Sequence, residues 1–235
     1  MSLNIGSSLT GGVRRVANRN GLKLGLSYAV FAFVWQLLYY SAVADWAGTS
    51  VEGVPTIDAA PVLVMIGAVI SLLALQYVAI VAVRTFVGGR TKTIPREYYT
   101  RNIVYVVINS LLGGLVFVLL VAAGTVLLIV PGVIAYTALV FTFIYIADKD
   151  ESFISAFRDS WTLTRGHWLD VFGLLFALSV ASVICSIILS FGVLLMGFVV
   201  GPDLVLYLSF GLNVALFSLL AIGVVAEAYT QLRGT

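Results

Sequence analysis

The sequence predicts an all-α, polytopic membrane protein: six transmembrane helices with cytoplasmic interfacial amphipathic helices. Three observations carry this. Hydrophobic residues make up 61% of the 235 positions and charged ones 10%, roughly half or less of the charge of an ordinary soluble domain. The apolar runs are apolar all round for about twenty residues, whereas a transmembrane barrel shows segments of about ten that alternate with polar positions. All thirteen Lys and Arg fall on one side of the membrane these runs define. Arg14, Arg15, Arg19 and Lys23 precede the first run. Arg84, Arg90, Lys92, Arg96 and Arg101 separate the second from the third, Lys149, Arg158 and Arg165 the fourth from the fifth, and Arg233 follows the sixth. The opposite loops carry Asp45, Glu52, Asp58 and Asp203 and no cation. Flanking cations are retained in the cytoplasm, so both termini are expected inside a bacterial inner or archaeal plasma membrane.

The elements follow in order. Leu9, Val13 and Val16 fall at helical spacing, with Arg14, Arg15 and Arg19 elsewhere on the wheel; a short interfacial helix and an unstructured tail both fit residues 1–20. The first span covers residues 24–44, and Tyr39, Tyr40 and Trp46 place amphipathic aromatics at its outer end. Ala42-Val43-Ala44 has the form a signal peptidase accepts. The long leader before it and the full-length apolar run favour a retained span. A polar loop with Gly48, Gly53 and Pro55 leads to span two, residues 61–83, which opens on Pro61 because its missing N–H has no helical partner there.

Residues 102–147 carry no charge, and one helix of that length would reach about 69 Å, more than twice the hydrocarbon core. The run is therefore a hairpin of spans 102–124 and 128–147. Its bend is expected between Gly124 and Pro131-Gly132, with Pro131 in the first turn of span four. From 152 to 165, Phe153, Ile154, Phe157 and Trp161 form one face and Ser155, Arg158, Asp159, Thr162 and Arg165 the other. Asp148, Asp150 and Glu151 at its start and Gly166 at its end agree with a helix there. Span five covers 168–189, with residues 190–200 either its continuation or an interfacial segment. Span six covers 203–226. Arg19-Asn20, Thr100-Arg101-Asn102 and Thr164-Arg165-Gly166 each close a polar segment just before an outward-going span, an echo consistent with a repeated unit or with topology alone. No connection is long enough to bury a soluble core, so residues 1–235 form a single membrane domain.

Pro131-Gly132-Val133-Ile134, the run from Ala156 to Gly166 (AFRDSWTLTRG) and Ala228-Tyr229-Thr230-Gln231-Leu232-Arg233 resemble a large family of uncharacterised membrane proteins. That family is similar to the membrane domain attached to some glycerophosphoryl diester phosphodiesterases. Ile94-Pro95-Arg96-Glu97-Tyr98 makes the haloarchaeal branch the nearer likeness. The resemblance covers most of residues 85–233 and implies a six-helix membrane fold; the phosphodiesterase catalytic domain has no counterpart here.

Enzyme chemistry finds little support. A hydrolase could be imagined on Ser160, His167 and Asp170, but His167 is the only histidine and reads more simply as an interfacial residue beside Trp168. One histidine and one mid-span cysteine, Cys185, supply neither a metal site nor an internal disulfide. A transporter or permease would rest on Glu227, which could snorkel or pair with Arg233, and on Asn109, Asn213, Gln36 and Gln76. Interhelical hydrogen bonding is the simpler reading of the amides. Ser182, Ser186 and Ser190 with Ala181 and Cys185 line span five, and Gly113-Gly114 span three. Backbones can approach there, within the chain or in a homo-oligomer or with another membrane protein.

The expected role is non-enzymatic: a membrane-embedded interaction or lipid-organising module with no cofactor and no nucleic-acid partner. Its proposed lipid-interface residues are Phe153, Phe157 and Trp161, entering the acyl boundary, and Arg158 and Arg165, meeting anionic headgroups at about 1 kcal/mol per cation.

Overall fold

A computed structural model describes residues 3–48, 55–200 and 202–234, without the side chains of 196–200, 202–204 and 206. Asp45 and Asp58 are exposed; Glu52, Gly53 and the side chain of Asp203 lie outside the described residues. Ten helices follow in order: α1 (Ile5–Val16), α2 (Arg19–Ala47), α3 (Pro61–Val87), α4 (Glu97–Thr100), α5 (Ile103–Leu127), α6 (Ile129–Leu139), α7 (Thr142–Lys149), α8 (Phe153–Thr164), α9 (Trp168–Val200) and α10 (Pro202–Arg233). Six stretches are long and apolar enough to cross a membrane, α6 and α7 together forming the fourth. The protein is thus an all-α, multi-pass membrane protein. Three of the long helices, α2, α5 and α9, are each preceded by a short one.

The helices overrun the sequence boundaries because hydropathy registers only their apolar stretch. Span one begins at Arg19, where Asn18 Oδ1 accepts from the amides of Asn20 and Gly21 at 2.9 and 3.1 Å and caps α2. A side chain at Gly21 would lie 1.9 Å from the Val16 carbonyl oxygen, so the α1–α2 corner closes only on glycine. The hairpin bends at Leu128, the one extended residue between α5 and α6 (φ −161°, ψ 137°). Pro131 falls in the first turn of α6, as the sequence suggests. Residues 190–200 continue α9, which runs unbroken for 33 residues.

The chain divides into two compact units. The first comprises Met1–Leu22, Ala79–Ser179 and Leu220–Thr235; the second comprises Lys23–Val78 and Val180–Leu219. Every Lys and Arg except Lys23 belongs to the first unit.

In the first unit the core is Ile80, Val81 and Val83 of α3, Val106 of α5, Phe141 and Ile146 around α7, Val171 and Leu174 of α9, and Val224 and Tyr229 of α10. Arg84, 1% exposed, lies among them. Its Nε donates to Ala147 O at 2.7 Å, and its terminal nitrogens donate to Tyr98 O, Arg101 O and Asp150 Oδ1, each at 2.9 Å. Asp150 also meets Arg101 Nε at 3.0 Å and Asn102 Nδ2 at 2.9 Å. Both Asn102 and Asp150 adopt left-handed backbone (φ 45° and 56°). One buried guanidinium therefore collects carbonyls released where α4 and α7 end, and one carboxylate balances it.

The second unit packs Leu24, Ala32, Val64, Leu75, Ala215 and Leu219. Its interhelical polar contacts centre on Tyr207, whose hydroxyl donates to Phe33 O at 2.5 Å while its carbonyl accepts from Gln36 Nε2 at 3.4 Å. The small-residue stripe of α9 is largely exposed within the single chain. Ala181, Cys185 and Ser190 are exposed, and Ser186 and Ser190 line an apolar cavity of about 460 Å³ with Val205 and Ser209. Gly113 does mark a close approach: a side chain there would reach Ile146 Cδ1 at 3.1 Å and Phe153 Cβ at 3.2 Å, whereas Gly114 faces open space.

Candidate functional site

Phe153–Thr164 form helix α8, within the stretch 152–165 where the sequence expects a helix. Ser152 caps α8 by accepting from Ser155 N at 3.3 Å, and Gly166 (φ 89°) ends it in a conformation that favours glycine. The face that docks is not the apolar one. Ala156, Ser160 and Thr164, one turn apart, are wholly buried. Ser160 Oγ donates to Ala138 O at 2.8 Å and accepts from Phe141 N at 3.2 Å, and Thr164 Oγ1 lies 3.3 Å from the same Ala138 carbonyl. These are backbone groups at the break between α6 and α7, which α8 completes.

Asn109 fixes the start of α8: its Oδ1 accepts from Phe153 N at 3.0 Å, a first-turn amide without a helical partner, and its Nδ2 donates to Tyr105 O at 2.9 Å. Phe153 and Phe157 meet edge to face at 6.2 Å and are half-buried. The outward surface is instead Ile154 (68% exposed) and Trp161 (43%) with the exposed Arg158 and Arg165. Neither arginine has a side-chain partner among the described residues. Trp161 rests edge to face on Trp168 at 5.3 Å.

Beside α8, burial first and the Asp159 carboxylate second push the Glu151 carboxyl above its ordinary range. Lys149 Nζ stands 3.8 Å away, and Glu151 Oε2 is buried with no hydrogen-bond partner among the described residues.

α1 docks by the same device as α8. Ser8 and Gly12 are buried while Val13, of the apolar Leu9–Val13–Val16 spacing, is 48% exposed. A side chain at Gly12 would fall 2.5 Å from Val224 Cα. Arg15 Nε reaches Glu227 Oε2 at 2.5 Å, and its terminal nitrogens donate to Thr230 Oγ1 at 3.0 Å and to Phe86 O. Gln231 Nε2 adds a bond to Glu227 Oε1 at 3.2 Å. The Glu227–Arg233 pairing expected from sequence is not formed. Six residues apart, the two lie about 240° around the helix, and Arg233 packs over the Tyr229 ring and lies 3.8 Å from Asp148.

The remaining candidates are engaged or apart. Asn213 Nδ2 donates to Ser209 O of its own helix at 2.7 Å, with Oδ1 buried and unpaired. The Ser160 hydroxyl has both donor and acceptor engaged away from His167, whose Nδ1 lies 3.6 Å from Asp170 Oδ2. No cluster of three or more metal-ligating side chains occurs among the described residues.

Sequence reasoning missed the role of Arg84, which it read only as a topogenic cation. Its position in the last turn of α3, before a loop rich in turn signals, was the available sign. No curated protein and no solved structure matches the chain significantly. The family described as "Domain of unknown function (DUF7847)" matches residues 3–232, nearly the whole length, and the chain belongs to that family.

Proposed function

We propose that this protein is a non-enzymatic membrane module that organises or engages anionic lipid through a basic cytoplasmic face, in a cell membrane with both termini inside. The observation that carries this reading is the outward surface of α8. A helix anchored through Ala156, Ser160 and Thr164 presents Ile154 and Trp161 beside two uncommitted arginines. That combination suits the headgroup boundary, where an apolar body sinks and a cation stays at phosphate depth. The segregation of every cation but Lys23 into one unit supports the orientation. A transport reading draws on Glu227 and Asn109, and both are held by partners within the chain.

The test is a variant keeping Trp161 as its only tryptophan, with Trp35, Trp46 and Trp168 changed to Phe, reconstituted in vesicles with lipid-borne quenchers. Quenching greatest for headgroup-proximal quenchers, with weakened anionic-lipid binding in Arg158→Glu/Arg165→Glu, is the expected outcome. An unquenched Trp161, or unchanged binding in the double variant, removes the reading.

A further inference from the structure

A second basic feature of the first unit lies away from the residues of α8. Arg14, Arg15, Phe86, Arg90, Thr91 and Glu227 are among the residues lining a cavity of about 300 Å³. The volume sits at the lower limit of small-molecule sites, the scale of a headgroup rather than an extended ligand. Three guanidinium groups and one carboxylate give the lining a surplus of two positive charges, the complement of a phosphate.

The three arginines are not equivalent. Arg15 is fully committed to Glu227, Thr230 and the Phe86 carbonyl, and so forms a wall. Arg14 and Arg90 are exposed, and their guanidinium groups have no partner among the described residues. Their backbones, by contrast, are held firmly. Arg90 follows Gly89 (φ 61°) in a Schellman turn: Arg90 N donates to Thr85 O and Gly89 N to Phe86 O, each at 3.1 Å. Asn20 Nδ2 donates to Arg90 O at 2.9 Å from the start of α2. Arg14 sits beside Arg15 on α1, which Ser8, Gly12 and Arg15 lock to α10. Two fixed backbones thus carry two uncommitted forks into one concavity, an arrangement preorganised for an anion with several acceptor oxygens.

We infer that this cavity binds a phosphate-bearing group, with Arg14 and Arg90 as its direct ligands and the Thr91 hydroxyl alongside. The inference does not depend on α8 meeting the bilayer. The phosphate can come from a lipid headgroup or from solution, and the probes separate the two.

The full chain is placed in phosphatidylcholine nanodiscs and its thermal unfolding followed in two arms. One adds inorganic phosphate against sodium chloride of equal ionic strength; the other dopes the bilayer with phosphatidic acid in phosphate-free buffer. Ligand that binds only the folded state raises the melting temperature. The expected result is a rise of several degrees with at least one probe, lost in Arg14→Gln/Arg90→Gln, whose basal melting stays at the wild-type value. A response to phosphatidic acid alone assigns a lipid headgroup, and a response to inorganic phosphate assigns a soluble source. No shift beyond the chloride control with either probe, or an undiminished shift in the double variant, overturns the site. If the double variant melts early, Arg90→Gln alone carries the test through an apparent affinity lowered about tenfold; an unchanged affinity overturns the proposal. Arg158→Glu/Arg165→Glu measured alongside keeps the shift, so failure at α8 and failure here are read separately.

Discussion

The two compact units differ in how many polar side chains bridge one element to another. In the first, the polar groups reach across elements: Arg84 to three carbonyls and Asp150, Ser160 to Ala138 and Phe141, Asn109 to Phe153, Arg15 to Glu227 and Phe86. In the second, bridging contacts among the described residues are fewer, and several side chains turn back on their own helix. Ser71 donates to Gly67 O, Asn213 to Ser209 O and Ser41 to Leu37 O, with the Tyr207 contacts crossing between helices. The difference follows the backbone. Helices in the first unit end or break at residues 87–103, 139–142 and 149–153, and each break releases amides and carbonyls without helical partners. The described helical segments of the second unit run unbroken from residue 23 to 47, 61 to 78, 180 to 200 and 202 to 219. Bridging side-chain polarity is therefore concentrated where main-chain pairing is interrupted.

The sharpest way to break this contrast is Arg84→Gln. It removes a buried cation, strands Asp150 between fewer partners and leaves carbonyls unpaired; losing one partner of such a pair costs about 3–5 kcal/mol. We expect loss of the monodisperse folded peak in size-exclusion chromatography after mild heating in detergent. Arg84→Lys fails nearly as badly, because an ammonium cannot span four acceptors held in a planar fork. Survival of either at wild-type stability would mean the network is incidental.

Next in size is Gly12→Leu. The new side chain overlaps the Val224 backbone, and overpacking of this kind costs about 1–3 kcal/mol or more. The expected outcome is undocking of α1 rather than global unfolding, read as rapid thiol labelling of a cysteine placed at Ser8, which is slow in the parent. Tyr207→Phe probes the other unit with a smaller effect. It deletes a hydroxyl bonded to Phe33 O, and interhelical hydrogen bonds among membrane helices average about 0.6 kcal/mol. A modest fall in melting temperature is expected; a fall rivalling that of Arg84→Gln would erase the distinction between the units.

Apolar length and cation placement made the six spans legible, and Gly124 with Pro131-Gly132 bracketed the bend at Leu128. What hid was the choice of docking face. Periodicity marked only the apolar faces, Leu9, Val13 and Val16 on α1 and Phe153, Ile154, Phe157 and Trp161 on α8, which the sequence assigns to the membrane interface. In both helices the buried stripe is small and weakly polar: Ser8 and Gly12, then Ala156, Ser160 and Thr164. In water an apolar stripe turns inward. Next to lipid it can face outward without cost, and small residues that let backbones meet take the inside. Interhelical bonding, the simpler reading of the amides, holds for Asn109, which meets the first turn of α8, whereas Asn213 donates to its own helix, a distinction set by tertiary position. Arg84 hid because a cation after an apolar run has a sufficient topological explanation.

The smallest effect tests a place where polar compensation in the first unit is incomplete. Glu151 is pushed above the ordinary carboxylate range, by burial and then by Asp159, so its ionised form is favoured less in the folded chain than in the unfolded one. The folded state then binds this proton more tightly. The group's contribution is fully present below the unfolded value and is lost as pH rises through the folded one. At neutral pH an ionised Glu151 opposes folding. Glu151→Gln removes that penalty and gives the buried Oε2 position a neutral occupant, so its melting temperature lies slightly above wild type at pH 7, and the gain vanishes below the ordinary glutamate range. Lys149, 3.8 Å away, returns part of the penalty through an attraction that solvent weakens, which keeps the expected gain small. A variant that melts lower than wild type at pH 7 would instead make Glu151 a net stabilising partner of Lys149, and the first unit's polar compensation would extend to this carboxylate as well.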